Sequence, residues 1–345
     1  MPLVGQSQGF VLFSKVSQQR FFKALLALFL FAFTLLNASE YYGAIEIGGK
    51  GVKSYFIEVD DVKTMGKIVE RTSSNTAPQS GIGTDLVMSA SMIESIASEI
   101  ATMKANLIKQ HHLGETHIFI IGSSAINKIH NKEALSHAIS TKAHHSLFFI
   151  DEQEESIYAF YGAIPKDGWD KSAMIDIGGG NTKIAWKNEK NATMDFIEIP
   201  LGTVSLSTKA LEGNVTQPFH DACLEHITHA LPASHHLKEK ATLYASGGIF
   251  WATAYLKMEG HLSAFTPLQE SDFQNVIETF STPFECSKTQ KSPQCFLLDY
   301  YGTTHLVAGA LLAKETIKKL DFFEKNVVFA KEGGWVIGWL LATSH

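Results

Sequence analysis

From residue 40 onward, apolar and polar positions follow two alternating periods. Branched and aromatic residues in strand-like runs predict strands at Tyr42–Ile47 and Lys53–Val59. Ser, Asn, Pro and glycine over Thr72–Thr84 predict a loop. Ile93, Ile96, Ala97, Ile100, Met103 and Leu107 recur at helical spacing and predict a long amphipathic helix. A buried strand at His117–Ile121, a helix at Ala125–Ile139, a strand at Leu147–Ile150 and a helix at Glu154–Ala163 follow. Proline and glycine in Ile164-Pro165-Lys166-Asp167-Gly168 mark a boundary.

The second half restarts the first. Ala44-Ile45-Glu46-Ile47-Gly48-Gly49 and Met174-Ile175-Asp176-Ile177-Gly178-Gly179 correspond position by position, and the match runs on to Lys53 and Lys183. Each unit is strand, acid, glycine turn, strand. A repeat at about one domain length implies two similar lobes rather than a solenoid. Strands at Met194–Ile199, Leu243–Ala245 and Val327–Ala330 alternate with helices at Val204–Leu211, Phe219–Leu231, from Phe250, and Leu306–Leu320. An apolar segment, Trp335–Leu341, closes the chain. Mixed strands and helices in both halves make the class α/β.

Composition adds three constraints. The chain has 345 residues, length for two ordinary domains, and its net charge of −6 offers no basic field for nucleic acid. Lys15, Arg20 and Lys23 precede an apolar run, Ala24 to Leu36, then Asn37-Ala38-Ser39-Glu40. That order predicts a secretory signal peptide within residues 1–39; an uncleaved N-terminal anchor and a misplaced start codon are the alternatives. Of three cysteines, Cys286 and Cys295 bracket a polar loop and predict a local disulfide in an oxidising compartment, the alternative being two free thiols. Cys223 reads as a buried apolar residue.

Glycine after a strand lets backbone N–H groups approach an anion, and successive amides form a concave nest. Three such turns occur: Gly48-Gly49-Lys50-Gly51, Gly178-Gly179-Gly180-Asn181 and Ser246-Gly247-Gly248. Neither the dinucleotide fingerprint nor the P-loop lysine pattern is present. Glu46 and Asp176 stand before two of these turns. They would hold Mg²⁺ or its waters, or else cap their own turns. The run Asp151-Glu152-Gln153-Glu154-Glu155 reads either as a solvated helix start or as the source of a general base. The pairs His111-His112, His144-His145 and His235-His236 read as surface residues.

These residues together resemble the exopolyphosphatase and guanosine pentaphosphate phosphohydrolase family, in the actin-like ATPase and sugar-kinase superfamily. The first glycine turn is similar to the family's Asp-x-Gly-Ser-Asn-Ser phosphate loop. Ile121-Gly122-Ser123-Ser124-Ala125-Ile126-Asn127 resembles its Thr-Ser-Ala-x-Arg segment, and Asp151 to Ser156 falls at its Ser-Gly-x-Glu-Glu-Ala. Asp176-Ile177-Gly178-Gly179-Gly180-Asn181-Thr182 resembles its second phosphate loop. Leu201-Gly202, Ser246-Gly247-Gly248 and Ala308-Gly309-Ala310 recur in the family's order.

The resemblance implies two ribonuclease H-like lobes, at residues 40–165 and 166–345, with a cleft between them. It implies Glu155 as catalytic base and Asp176 as the acid that positions metal or water. Gly48, Gly49, Lys50, Gly51, Ser124, Gly178, Gly179, Gly180, Asn181, Gly247 and Gly248 would bind phosphate. Three departures stand out. Glu46 replaces an aspartate, Asn127 replaces a phosphate-binding arginine, and Lys183 replaces a metal- or water-binding glutamate. Lys50, Lys53 or Lys183 would supply the missing positive charge, as point charges rather than planar forks.

The expected function is a periplasmic or secreted, Mg²⁺-dependent phosphoanhydride hydrolase acting on polyphosphate or a nucleotide. A secreted apyrase-like nucleotidase and a catalytically silent phosphate-ligand sensor are the alternatives. A homodimer is compatible with the sequence, and membrane attachment follows only if the N-terminal segment is retained.

Overall fold

The computed structural model describes residues 39–343, apart from residues 50, 61–64, 75, 213–217, 232–236, 283–285 and 287–291. The expected leader up to Ala38, Lys50 and His235-His236 therefore lie outside the described residues. No helix among the described residues is long and apolar enough to cross a membrane.

The first sheet holds β1 (Glu40–Gly48), β2 (Gly51–Val59), β3 (Gly66–Ser73), β4 (Ile118–Gly122) and β5 (Leu147–Phe149), in the order β3-β2-β1-β4-β5. β1 to β3 form an antiparallel meander, while β4 and β5 run parallel to β1. The crossovers are α1 (Ala90–His111), then α2 (Ser124–Asn127) and α3 (Lys132–Ala143). α4 (Glu152–Ala163) leads to the second sheet.

That sheet holds β6 (Ser172–Ile177), β7 (Thr182–Lys187), β8 (Met194–Ile199), β9 (Thr242–Ser246), β10 (Phe265–Leu268) and β11 (Asn326–Ala330), in the order β10-β11-β9-β6-β7-β8. Again a meander, β6 to β8, is extended by β9 and β11 parallel to its first member, with β10 antiparallel at the edge. The helices are α5 (Thr203–Glu212), α6 (Phe219–Ala230), α7 (Gly248–Lys257), α8 (Glu270–Ser281), α9 (Pro293–Tyr301), α10 (Thr303–Lys319) and α11 (Trp335–Thr343). The two-lobe plan expected from the repeat is present.

Strand side chains alternate between faces, and this sorts the residues into three cores. Ile45 and Ile47 pack on Ile93, Ile96 and Ile100 of α1. Ile175, Ile177 and Ile184 face α7 and α10. The alternate positions, Ala44 and Tyr55 in one sheet and Met174 and Ala185 in the other, share a core with Phe160 of α4 and Ile337 and Leu340 of α11. Two helices are thus sandwiched between the sheets. They touch backbone to backbone: a Cβ on Gly338 would overlap Tyr158 O, and one on Gly162 would overlap Gly334 O.

Several expectations change. The helix read over Ala125–Ile139 is broken into α2 and α3. Asn131 bonds the backbone of Met88 through both Oδ1 (2.9 Å) and Nδ2 (2.8 Å), and His130 N–H donates to Leu86 O at 2.9 Å. The expected loop at Thr72–Thr84 begins inside β3 and contains a short 3₁₀ turn, Pro78–Gly81. β3, β10, α8 and α9 were not legible in the pattern. His111 is half-buried at the surface rather than freely exposed: its ring stacks on Phe56 at 3.9 Å and approaches Glu70 at 3.4 Å. Cys286 and Cys295 are disulfide-bonded with Cα atoms 5.6 Å apart. Cys223 is buried, which pushes its thiol up to about 12.

Candidate active site

The antiparallel register sets Glu46 directly opposite Lys53 in β1–β2, and Asp176 directly opposite Lys183 in β6–β7. Glu46 shares a strand face with Ala44, and Asp176 shares one with Met174, so both acid–lysine pairs lie on the face that meets the other sheet.

α4 delivers a third carboxylate. Asp151 caps this helix, accepting from Glu154 N–H at 2.7 Å, while Glu154 accepts from Asp151 N–H at 2.9 Å. This reciprocal box fixes the first turn. Glu152 turns out to Lys128 at 2.5 Å, and Glu155 turns inward. The acidic run is therefore divided: two residues cap the helix, one is at the surface and one enters the site.

Lys183 Nζ lies 2.5 Å from Glu155 Oε1, and the backbone N–H of Ser124 donates to Oε2 at 2.9 Å. Both side chains of the ion pair are buried, 5% and 11% exposed. Asp176 is half-buried as a residue, but its carboxyl group lies deep against Gly247. Burial holds its pKa above the usual aspartate range; the Lys183 charge and a hydrogen bond from Ser246 oppose this, and Glu155 and Glu46 reinforce it. Glu46 accepts from Lys53 Nζ at 3.2 Å and from the Tyr55 hydroxyl at 2.5 Å. Burial first, then the Glu46 charge, holds the Tyr55 phenol well above its ordinary pKa.

The second glycine loop is strapped to the start of α5. Gly178 O accepts from Thr203 N–H, Gly179 O from Val204 and Ser205 N–H, and Gly180 O from the Ser205 hydroxyl, all at 2.9–3.0 Å. In a trans peptide the N–H points opposite to the C=O, and no described peptide is cis. The N–H groups of Gly179, Gly180 and Asn181 therefore point away from α5, as an anion nest requires. The Gly178 amide is committed to Asn181 O at 3.0 Å. Gly202 makes the docking feasible, since a Cβ there would come within 2.5 Å of Gly178 O and 2.6 Å of Gly179 C. Gly247 has φ +101° and a Cβ on it would meet Ile177 O at 2.5 Å, so only glycine fits that turn. A cavity of about 110 Å³ joins these turns, lined by Gly178, Gly179, Thr203, Gly247, Gly248 and Tyr301.

In the first lobe Gly48 and Gly49 lie beside Glu46 and the start of α2, respectively. Gly51 opens β2. The Ser124 amide serves Glu155 and is not free for phosphate. Asn127 Oδ1 accepts from Lys132 Nζ at 2.9 Å. One residue escaped the sequence reading: Lys128. It pairs with Glu152, feels the charges of Glu198 on β8 and of Glu155, and has a raised pKa through the Glu152 hydrogen bond. Only tertiary proximity marks it.

The expected Mg²⁺ ligands do not fit a resident divalent cation. Glu46 is matched by Lys53, while Lys183 pairs with Glu155 and lies opposite Asp176. Three carboxylates and two ammonium groups leave one net negative charge, too little for the protein alone to hold a dication before phosphate arrives. Among the described residues, no three His, Cys, Asp or Glu side chains converge as metal ligands.

Comparison with known proteins follows the same lines. A model of the Ppx/GppA phosphatase family matches residues 57–333. A Ppx/GppA family member from Aquifex aeolicus superposes with TM-score 0.68 at 16% identity, covering 89% of this chain and 98% of that one. An exopolyphosphatase from Cytophaga hutchinsonii gives 0.60 at 15% identity, covering 88% and 97%. Nucleoside triphosphate hydrolases from Neospora caninum give 0.55 at 10% identity, covering 94% and 96%. At these identities the likeness establishes the two-lobed actin-like fold. No match is found among curated proteins.

Proposed function

Because the chain belongs to the Ppx/GppA phosphatase family and is thereby a phosphoanhydride hydrolase, we propose that it is an exported enzyme with Glu155 as its general base. The substrate class is polyphosphate or a nucleotide, as in the family. The observation that carries the reading is the setting of Glu155. Its carboxylate is held by Lys183 from one lobe and the Ser124 amide from the other, on the face that also bears Asp176.

A terminal phosphoryl group bound at the amides of Gly179, Gly180 and Asn181 would gain hydrogen bonds where charge develops. Water attacks the terminal phosphorus and passes a proton to the Glu155 carboxylate. The bridging P–O bond breaks, and its electron pair leaves on the shortened chain. Enzymes of the family generally depend on a divalent metal.

Export is supported by the basic and apolar order of residues 15–36 and by the Cys286–Cys295 disulfide. Phosphate release from polyphosphate and nucleoside triphosphates by the purified protein is expected, and Glu155→Gln is expected to lower it by about 100-fold or more. Unchanged release by that variant would remove Glu155 from the chemistry. Cell fractionation that finds the chain only in the cytoplasm would overturn export.

A further inference from the structure

The strongest disagreement between this site and a metal-dependent hydrolase is Lys183. Its ammonium is buried, it touches Glu155 at 2.5 Å, and its strand position is directly opposite Asp176. That is the setting in which a dication would otherwise gather two carboxylates. A lysine ammonium is a compact single charge with three donors, so it can bind carboxylate and phosphate oxygens together without coordination chemistry. A dication placed beside it would face ammonium repulsion in a low-dielectric setting, or would have to expel a side chain that is almost fully enclosed.

We propose that Lys183 stands in place of a divalent cation, so that this chain binds and hydrolyses its phosphoanhydride substrate without metal. The proposal rests on the hydrolase reading and adds the identity of the charge-neutralising group. Lys183 then has two tasks. It holds the Glu155 carboxylate in place as the proton acceptor, and it draws charge from the transferring phosphoryl group. Lys53 repeats the arrangement on the first loop, where it neutralises Glu46 and leaves that acid unsuited to a metal as well.

The test uses the purified full chain stripped of metal. Phosphate release from tripolyphosphate is measured in excess EDTA and in excess Mg²⁺, and the two rates are expected to agree within about tenfold. Mn²⁺ added to the protein alone is followed by electron paramagnetic resonance, and the free-ion signal is expected to persist. Release seen only with Mg²⁺, or Mn²⁺ bound and displaced by Mg²⁺, would overturn the proposal while leaving the hydrolase reading intact.

Lys183→Glu and Lys183→Met are each expected to lose about 100-fold in EDTA. Only Lys183→Glu should recover with Mg²⁺ and deplete the free Mn²⁺ signal. If these variants do not fold, the measurements on the unaltered chain still decide. Should the unaltered chain release no phosphate in any condition, the hydrolase reading fails. Calorimetry of tripolyphosphate then decides this inference: binding retained in EDTA supports it, and binding only with Mg²⁺ refutes it.

Discussion

Replacing Lys183 by methionine tests the site through stability alone, independent of substrate. At 2.5 Å, with an effective dielectric constant of about 20, the Lys183–Glu155 attraction is about 7 kcal/mol before desolvation is subtracted. Desolvation of two enclosed charges cancels much of that, but removing one partner strands the other. Breaking a buried pair in this way costs about 3–5 kcal/mol, a large share of a typical total of about 5–15 kcal/mol. In Lys183→Met, the Glu155 carboxylate would be left enclosed with Asp176 nearby and no adjacent cation. Urea unfolding at neutral pH measures the loss. Adding Glu155→Gln to Lys183→Met should restore most of the loss at neutral pH, giving a favourable coupling in the double-mutant cycle. A single-variant loss below about 1 kcal/mol, or no coupling in the cycle, would refute the ion pair as a buried, structure-determining contact.

Asp176 has its folded pKa raised, chiefly by burial, so the folded state binds its proton more tightly and stability falls as pH rises from the unfolded to the folded value. Asp176→Asn should therefore be more stabilising, or less destabilising, at neutral pH than in acid, read from denaturant midpoints at the two pH values. Gly202→Ala should displace the second glycine loop, because its Cβ would meet only backbone atoms at 2.5–2.7 Å; a loss of phosphate affinity with little change at the first loop, followed by hydrogen exchange, checks it. Gly338→Ala should push α11 off α4 and cost about 1–3 kcal/mol. Reducing or substituting the Cys286–Cys295 disulfide should cost about 2–3 kcal/mol in thermal or urea unfolding, because it closes a short loop.

The sequence showed most where chemistry and local pattern coincide. The two acid–glycine hairpins were legible because strand, acid, turn and lysine all lie within a dozen residues, and the register then fixes the pairing. Asp176 was legible as part of its hairpin, whereas Glu155 was singled out within its acidic run only by the family resemblance. What was not legible depends on distant partners. β3 has mostly exposed side chains, so no burial rhythm marks it. The break between α2 and α3 comes from Asn131 reaching back to Met88, 43 positions earlier. Lys128 acquires its neighbours only when β8 and α4 come together. The Lys183–Glu155 contact spans 28 positions and two lobes.

That last contact also explains why a near-symmetric repeat yields an asymmetric site. Lys53 and Lys183 occupy equivalent positions, opposite equivalent acids, on equivalent strand faces. Local sequence therefore predicts the same environment for both. Yet the Lys53 side chain is 34% exposed and that of Lys183 only 5%. The difference comes from α4. Its capping box aims Glu155 at the second hairpin, and its close glycine contact with α11 holds the helix between the sheets. On the first hairpin the second partner of the acid is instead Tyr55, a neutral donor from the same strand as Lys53. A buried ammonium paired with Glu155 and facing Asp176 arises only on the second hairpin, which is why the proposed chemistry is placed on that lobe's loop.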